Sequence, residues 1–531
     1  MSPLQPPVST RVMNLATFLT QAARRVPQDV ALVMGDAQWT WAHFEARTDA
    51  LALALQDMGL DKGDRVLCQS QNCMEMMQAM FAVWRAGGVW VPANYRQTPE
   101  ELVYLTESSG ARFMICNARF PDHAAACAGA APDLRLLAFG DADFGPSVSA
   151  LTEAHLGRHP QVAAVDRDDP CWFFFTSGTT GRPKASVLTH GQMAFVVTSH
   201  LADLMPGLTP EDASLVVAPL SHGAGVHQLT QVARAVKTVL MPSDKFDVAT
   251  AWKLVEVWRV STIFTVPTIL KMLVEDESLD HFDHTSLRYV IYAGAPMYRE
   301  DQKRALAALG PVLVQYFGLG EVTGNITVLP TWLHSADDDA REGTCGFPRT
   351  GIEVQVQDDQ GRALPPFETG ELCVIGPAVF AGYFDNADAN AKSFRDGWFR
   401  TGDLGHMDAQ GFVYITGRAS DMYISGGSNV YPREIEEKIL THPAISEVAV
   451  LGVPDRKWGE VGWAICVCRP GESATEDGVK DFLADRISGY KRPHRVLFWP
   501  ELPKSAYGKI TKKLVRQALE ERGVLTAGAA A

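Results

Sequence analysis

Between Phe173 and Lys184 an aromatic run, Phe173-Phe174-Phe175, passes into Thr176-Ser177-Gly178-Thr179-Thr180-Gly181 and then, through Arg182 and Pro183, into Lys184. The aromatic run reads as a buried strand, and the loop after it is built for an anion. Gly178 and Gly181 allow a tight backbone turn that brings N–H groups close to phosphate oxygens. Ser177, Thr179 and Thr180 add hydroxyl donors, and Lys184 adds a positive charge. This is not a Walker loop, in which Gly-Lys-Ser/Thr opens a helix with a backbone N–H at every turn position. Pro183 precedes Lys184 and has no N–H to give.

A strand that ends in a phosphate loop belongs in an α/β fold, and the flanking sequence agrees. Phe44 to Met58 is amphipathic at helical spacing, Asp64 to Cys68 reads as a strand, Met74 to Ala86 as an apolar helix stopped by Gly87-Gly88, and Val89 to Pro92 as the next strand. This first α/β stretch covers about 165 residues, and a second runs from about Asp169 to Leu329. In it Asp247 is the expected N-cap of a helix. After Thr344 the texture changes to short strands separated by Gly and Asp turns, Ile352 to Gln357, Gly370 to Ile375 and Gly411 to Ile415, which predicts a small β subdomain. Beyond a Gly- and Ser-rich break at Gly417 to Gly427, a compact α/β segment follows. Its expected elements are a helix over 432–441, strands over 446–453 and 463–468, and a helix over 478–487.

With 531 residues the chain is too long for one ordinary domain. Hydrophobic residues make up 46% and charged residues 21%, a globular profile. The 48 Lys and Arg against 62 Asp and Glu leave a net charge of −14, which disfavours nucleic acid and anionic membranes as partners. A phosphate ligand must therefore be held by a local arrangement. Nine widely scattered Cys, with no second pair at zinc-site spacing beside Cys466 and Cys468, read as reduced thiols. No apolar run reaches the ~18 residues of a spanning helix. A cytoplasmic protein without integral membrane association is expected.

The segment Thr176-Ser177-Gly178-Thr179-Thr180-Gly181-Arg182-Pro183-Lys184 resembles the phosphate motif of the adenylate-forming superfamily, which includes acyl-CoA synthetases, peptide-synthetase adenylation domains and beetle luciferases. Further motifs follow along nearly the whole chain in the family's order. The resemblance implies that Thr176 to Gly181 and Lys184 hold ATP phosphates, with Thr176 and Lys184 also serving the reaction. In Gln315-Tyr316-Phe317-Gly318-Leu319-Gly320-Glu321 it implies that Tyr316, Phe317 and Gly318 line the nucleotide and that Glu321 binds magnesium, a hard cation suited to a carboxylate. The family usually has Thr where this chain has Gly320, so a hydroxyl that would touch the α-phosphate is missing. Gly294, Ala295 and Pro296 resemble the family's turn under the adenine. In Trp398-Phe399-Arg400-Thr401-Gly402-Asp403 the resemblance makes Asp403 the ribose ligand, and Arg418 the second ribose and phosphate contact.

Ser420 stands at the family's hinge, where Asp or Lys is common. The implied division is an N-terminal domain over 1–419, binding ATP and acid, and a mobile C-terminal α+β domain over 420–531. In Leu502-Pro503-Lys504-Ser505-Ala506-Tyr507-Gly508-Lys509 the implied catalytic lysine is Lys509, with Lys504 expected to be solvated. Gly426, Gly427 and Trp458 resemble the walls of the coenzyme A tunnel. His222, beside Gly223, matches the family's pocket gate. Peptide-synthetase domains carry an aspartate at this segment for the substrate's amino group. Ser221-His222 offers no acid, and a buried ammonium without a partner is costly, so amino acids are disfavoured. The small residues Gly223, Ala224 and Gly225 predict an open, elongated pocket that suits a fatty acid, with an aryl or arylpropenoic acid as the alternative. The implied activity is an ATP- and magnesium-dependent acid–coenzyme A ligase working through acyl-AMP. The rivals are acyl-AMP formation for a carrier protein or oxygen, and a non-catalytic acyl-nucleotide sensor. Oligomeric state is not written in the sequence.

Overall fold

The computed structural model describes residues 9–176, 182–243, 245–295, 297, 299–337, 341–425, 428–505 and 510–525. It is a mixed α/β protein with two large sheets, a small β sheet, and a separate C-terminal sheet. Strands Arg135–Phe139, Phe113–Asn117, Arg65–Ser70, Val89–Asn94 and Pro170–Thr176 lie side by side in parallel, and Lys184–Thr189 folds back antiparallel on the last of them. The second large sheet has nine strands. Its middle is parallel: Leu313–Phe317, Tyr289–Tyr292, Thr262–Thr265, Ala213–Val216, Lys237–Leu240 and Val30–Met34.

The two α/β stretches of the sequence do not map one to one onto these sheets. Val30–Met34 and Ala37–Thr40, from the first stretch, complete the edge of the nine-stranded sheet, whereas Pro170–Thr176 and Lys184–Thr189, from the second, complete the six-stranded one. Local apolar pattern predicts a strand but not its partner. Val30–Met34 reaches its neighbour Lys237–Leu240 only through the tertiary fold.

Several elements form where the side chains dictate. Helix Met74–Ala86 is almost wholly buried and ends on Gly87, whose φ of 97° is the left-handed conformation that terminates a helix. Asp247 caps Val248–Trp258 by accepting from Thr250 N at 2.8 Å. The helix expected over 478–487 spans only Glu476–Leu483, with Thr475 as its cap.

The helices Trp41–Asp57, Met74–Ala86, His190–Ser199 and Gly223–Arg234 contribute to one core that also reaches the small sheet, through Val354, Leu372, Val374, Phe399 and Val413. That small sheet is built on Glu353–Gln357, Gly370–Ile375, Trp398–Met407 and Val413–Arg418. The sheet changes between Arg418 and Tyr423. Tyr423–Ser425 pairs instead with Gly459–Cys468, in a C-terminal unit that has cores of its own. Among the described residues no helix is long and apolar enough to cross a membrane. The nine cysteines are free thiols, seven of them buried.

Candidate active site

The strand Pro170–Thr176 and its return Lys184–Thr189 place Thr176 directly opposite Lys184, at the mouth of the loop expected to bind phosphate. Ser177, Gly178, Thr179, Thr180 and Gly181 lie outside the described residues, as do Pro296, Gly426, Gly427 and Lys509. The buried carboxylate of Glu321 faces that mouth. Its Oε1 accepts from Thr176 Oγ1 at 2.8 Å and from Tyr383 Oη at 2.9 Å. Lys184 Nζ stands 4.1 Å from the centroid of the Tyr383 ring. Tyr383 thus joins the two charged groups of the site. Burial, reinforced by the Glu321 charge, pushes its hydroxyl far above the ordinary phenol range, so it stays a donor.

Tyr383 was missed by sequence reasoning. Its partner Glu321 is 62 residues away, and no local pattern marks it. The segment is brought there by backbone pairing: Ala381 N donates to Val187 O, Val187 N to Gly382 O, and Phe384 N to Ala185 O.

Gly320 has a structural cause. A Cβ at this position would lie 2.7 Å from Phe174 Cδ1 and 2.7 Å from Thr176 Cγ2. The Phe174 ring occupies the room that a threonine would need. Gly318 is equally constrained, since a Cβ there would meet Gly324 Cα at 2.4 Å.

Asp403 is 5% exposed on strand Trp398–Met407, within reach of the Glu321 charge. Its Oδ1 accepts from Arg418 Nε at 3.2 Å, and Arg418 is its register partner on the neighbouring strand. Its Oδ2 is buried and has no hydrogen-bond partner among the described residues. Burial raises the carboxyl's pKa against the opposing pull of Arg418, with Asp421 and Glu321 adding smaller upward pushes. A buried carboxylate oxygen without a donor costs roughly 1–3 kcal/mol, and a pair of vicinal hydroxyls would satisfy it. Gly294, with φ of 83°, and the half-buried Ala295 lie just beyond strand Tyr289–Tyr292. His222, Gly223, Phe264 and Phe317 likewise lie at or just beyond the carboxyl ends of parallel strands, where open α/β sheets bind ligands.

The acid side departs from expectation. Ala224 is buried, and a Cβ at Gly225 would lie 2.1 Å from Leu220 O and 3.0 Å from the Trp172 ring. Gly225 is therefore small for helix packing and does not open a pocket. At Gly223 a Cβ would lie 3.0 Å from Phe264 Cζ and 3.9 Å from Tyr316 Oη. Tyr316, expected beside the nucleotide, turns its hydroxyl toward His227 Nε2 at 3.3 Å. His222 packs on Phe174, centroids 4.5 Å apart, linking this side to Thr176.

In the C-terminal unit, Trp458 is exposed in the turn before Gly459–Cys468, with Lys457 over its ring. Ser420 lies between the last strand of the small sheet and the first of the C-terminal sheet, its Oγ 3.3 Å from Asp421 Oδ1. Lys504 is exposed, and in that position it pairs with Glu447 at 2.6 Å. A bridge between Lys504 and Ile510 brackets the segment that carries Lys509.

Known proteins match this chain along most of its length. Residues 19–384 match the model of the AMP-binding enzyme family, and residues 434–509 that of the AMP-binding enzyme C-terminal domain. A feruloyl-CoA synthase from an Amycolatopsis species is 33% identical over 508 residues, covering 96% of this chain and 99% of that protein. An indoleacetate–CoA ligase from Aromatoleum aromaticum is 32% identical over 511 residues, with the same coverage. A fatty acid–[acyl-carrier-protein] ligase from Streptomyces coeruleorubidus is 31% identical over 93% of this chain and 94% of its own length. The crystal structure of ATP-bound MatB from Rhodopseudomonas palustris superposes with a TM-score of 0.85 at 29% identity, covering 96% of this chain and all of that one.

Proposed function

The chain belongs to the AMP-binding enzyme family of the adenylate-forming superfamily, as an AMP-forming acid–thiol ligase, and on that premise we propose that it joins an aromatic carboxylic acid to coenzyme A through an acyl-AMP intermediate. The observation that carries the reading is the pair of buried carboxylates, Glu321 and Asp403, near enough for their charges to act on each other. Glu321 is fixed by Thr176 and Tyr383 beside Lys184, and Asp403 keeps one oxygen without a donor. The first arrangement suits a polyphosphate with its cation, and the second suits a ribose.

In this reading Asp403 Oδ2 accepts from the ribose hydroxyls, and Arg418 holds the carboxylate in place. Lys184 and the hydroxyls of 176–181 bind the phosphates. Both hydroxyl donors on Glu321 converge on Oε1, which leaves Oε2 to a magnesium ion. Among the described residues no cluster of three metal-ligating side chains exists, so phosphate oxygens would complete its coordination. The ion, when bound, would neutralise charge on the phosphates. The acid's carboxylate attacks the α-phosphorus, the bond to the bridging oxygen breaks, and pyrophosphate leaves. Lys509 offsets the negative charge shared by the carboxylate and the α-phosphate. Rotation about Ser420 then removes Lys509 and presents Gly426, Gly427 and Trp458. The coenzyme A thiolate attacks the acyl carbonyl, AMP leaves, and no side-chain nucleophile is used.

The aromatic acid is favoured over the fatty acid by the similarity to a feruloyl-CoA synthase and an indoleacetate–CoA ligase, and by the close packing around Gly225. The test is a panel of acids assayed for pyrophosphate without coenzyme A and for thioester with it. Aryl acids should give both signals. Thioester formed only on an acyl-carrier protein would transfer the reading to the carrier-protein ligases, and pyrophosphate from no acid would leave a sensor.

A further inference from the structure

His222, Phe264 and Phe317 lie at the carboxyl ends of the parallel strands of the nine-stranded sheet. The amino ends of those strands carry a separate cavity of about 560 Å³. Asp212, Lys237, Ser261 and Arg288 stand at or just before the starts of Ala213–Val216, Lys237–Leu240, Thr262–Thr265 and Tyr289–Tyr292, and all four line it. Trp258 and Arg259, at the end of helix Val248–Trp258, supply a further wall.

The polar groups of this cavity divide into engaged and unengaged. Asp212 is 7% exposed and accepts from Arg288 Nη1 with both oxygens, at 3.0 and 3.2 Å, while its Oδ2 also accepts from Thr209 N at 2.8 Å. Arg288 and Asp212 therefore close on each other. The hydroxyls of Ser261 and Ser286 donate to Ala213 O and Val260 O. Lys237 is different. It is half-buried, and among the described residues its ammonium has neither an ion pair nor a hydrogen bond; its Nζ stands 5.2 Å from the centroid of the Trp258 ring. Burial lowers its pKa against the opposing pull of the Asp29 charge. Arg259 follows Trp258 directly, in the left-handed conformation with φ of 48°, at a helix end where glycine is the usual residue. It is exposed and has no ion pair among the described residues. The carboxylate that its charge reaches, Asp283, is already held by Thr285 N at 2.9 Å and Thr285 Oγ1 at 2.7 Å. The indole N–H of Trp258 is a third donor without an acceptor among the described residues. Against these donors the lining sets one unengaged carboxylate, Glu211, which is exposed and keeps its water. A cation half removed from water and paired with nothing gains most from an anion. Two such cations beside one ring suit a compact double charge.

We propose that the cavity at the amino ends of the strands is a second anion site, distinct from the nucleotide site, in which Lys237 and Arg259 take a phosphate-type dianion, either inorganic phosphate or the head of a phosphate monoester. The site goes beyond the ligase reading and does not depend on it.

The experiment is calorimetry on the full chain at fixed ionic strength, saturated with magnesium and a non-hydrolysable ATP analogue so that the nucleotide site is filled. The probes are inorganic phosphate, phenyl phosphate and succinate. Both phosphates should bind saturably, one per chain, and succinate at least about 10-fold more weakly, because its two charges sit on separate carboxylates. Lys237→Gln and Arg259→Gly should each weaken phosphate about 5-fold or more, and glycine adopts the φ of 48° without strain, so the helix end is kept. Lys253→Gln removes an equal charge from the same helix outside the cavity and should leave the affinity unchanged. Glu211→Gln removes a like charge and should tighten phosphate binding. Phenyl phosphate binding more tightly than the free ion assigns the cavity to monoesters, and equal affinity assigns it to inorganic phosphate. Heat that does not saturate, succinate matching phosphate, or Lys253→Gln losing as much as the two cavity variants overturns the site. Weaker phosphate binding in Glu211→Gln overturns the dianion, since that carboxylate would then be holding part of the ligand. An acid panel that releases no pyrophosphate would sink the ligase reading and leave this result standing.

Discussion

Tyr383→Phe removes one oxygen and leaves the ring, so it isolates what the hydroxyl does for Glu321. In the wild type, Oε1 of that carboxylate accepts two hydroxyl hydrogen bonds, at 2.8 and 2.9 Å, at a site only 6% exposed. Hydrogen bonds to a charged group are worth about 1.5–3 kcal/mol, and the protein interior offers no compensating solvent. With one of the two lost, the carboxylate is free to rotate, and Oε2 no longer has a fixed direction. If that energy falls wholly on the adenylation step, the rate drops about 10- to 100-fold, because each 1.4 kcal/mol is a factor of ten. The Lys184 seat on the ring survives in Tyr383→Phe and is lost in Tyr383→Leu, which should therefore also raise the KM for ATP by a few-fold, in line with about 0.5–2 kcal/mol for a cation over a ring. The assay is ATP–pyrophosphate exchange titrated with magnesium, paired with manganese binding followed by electron paramagnetic resonance. Tyr383→Phe should need more metal for half-maximal exchange and should bind manganese more weakly. A variant with wild-type metal dependence in both measurements would show that Thr176 alone orients Glu321, and the positioning role of Tyr383 would be wrong.

Other expectations follow from the same geometry. Asp403→Ala removes the proposed ribose acceptor and strands Arg418; the KM for ATP should rise at least ~10-fold, and an unchanged KM would remove Asp403 from the nucleotide site. Lys509→Ala should slow adenylation by about 10²–10³ yet still convert chemically supplied acyl-AMP into thioester. Equal loss of both half-reactions would contradict the two-pose mechanism. Gly320→Thr, which installs the family's usual residue, should destabilise the protein by about 1–3 kcal/mol through overpacking against Phe174. The double variant with Phe174→Ala should recover part of that in urea unfolding, whereas additive losses would mean that Phe174 is not the obstacle. For pH, burial lowers His190 and His334 to about 4 and His227 to about 3, so the unfolded chain binds protons below about 6.5 that the fold does not. The stability these neutral imidazoles contribute is complete above 6.5 and is lost as the pH falls toward 4 and then 3. Each adds up to about 1.4 kcal/mol per pH unit to that slope, and His227→Gln should lower the slope between pH 6 and 4 by about one proton in urea titrations.

The sequence determined the local parts of this protein. Helix Met74–Ala86 was legible because apolar residues crowd a stretch that ends in Gly87-Gly88, and the Asp247 cap because a carboxylate precedes an amphipathic run. The family was legible from the glycine, hydroxyl and lysine motif of Thr176 to Lys184. Even the departure at Gly320 was visible as a missing hydroxyl. What tertiary structure decided is whatever depends on two distant segments meeting. Partner choice placed Val30–Met34 in the sheet of the second stretch, because a strand's own pattern fixes its faces and not its neighbours. It turned Gly225 from a presumed pocket opening into a packing requirement against Leu220 O, since a small residue looks the same in sequence whether it admits a ligand or a backbone. It delivered Tyr383 to Glu321 and stacked His200 on His227 and Phe264, contacts between residues tens of positions apart that no periodicity encodes. Hydrophobic pattern and turn chemistry act over a few residues, whereas the direction of a carboxylate oxygen and the depth of a pocket are set by side chains that only the folded chain brings within a few ångströms.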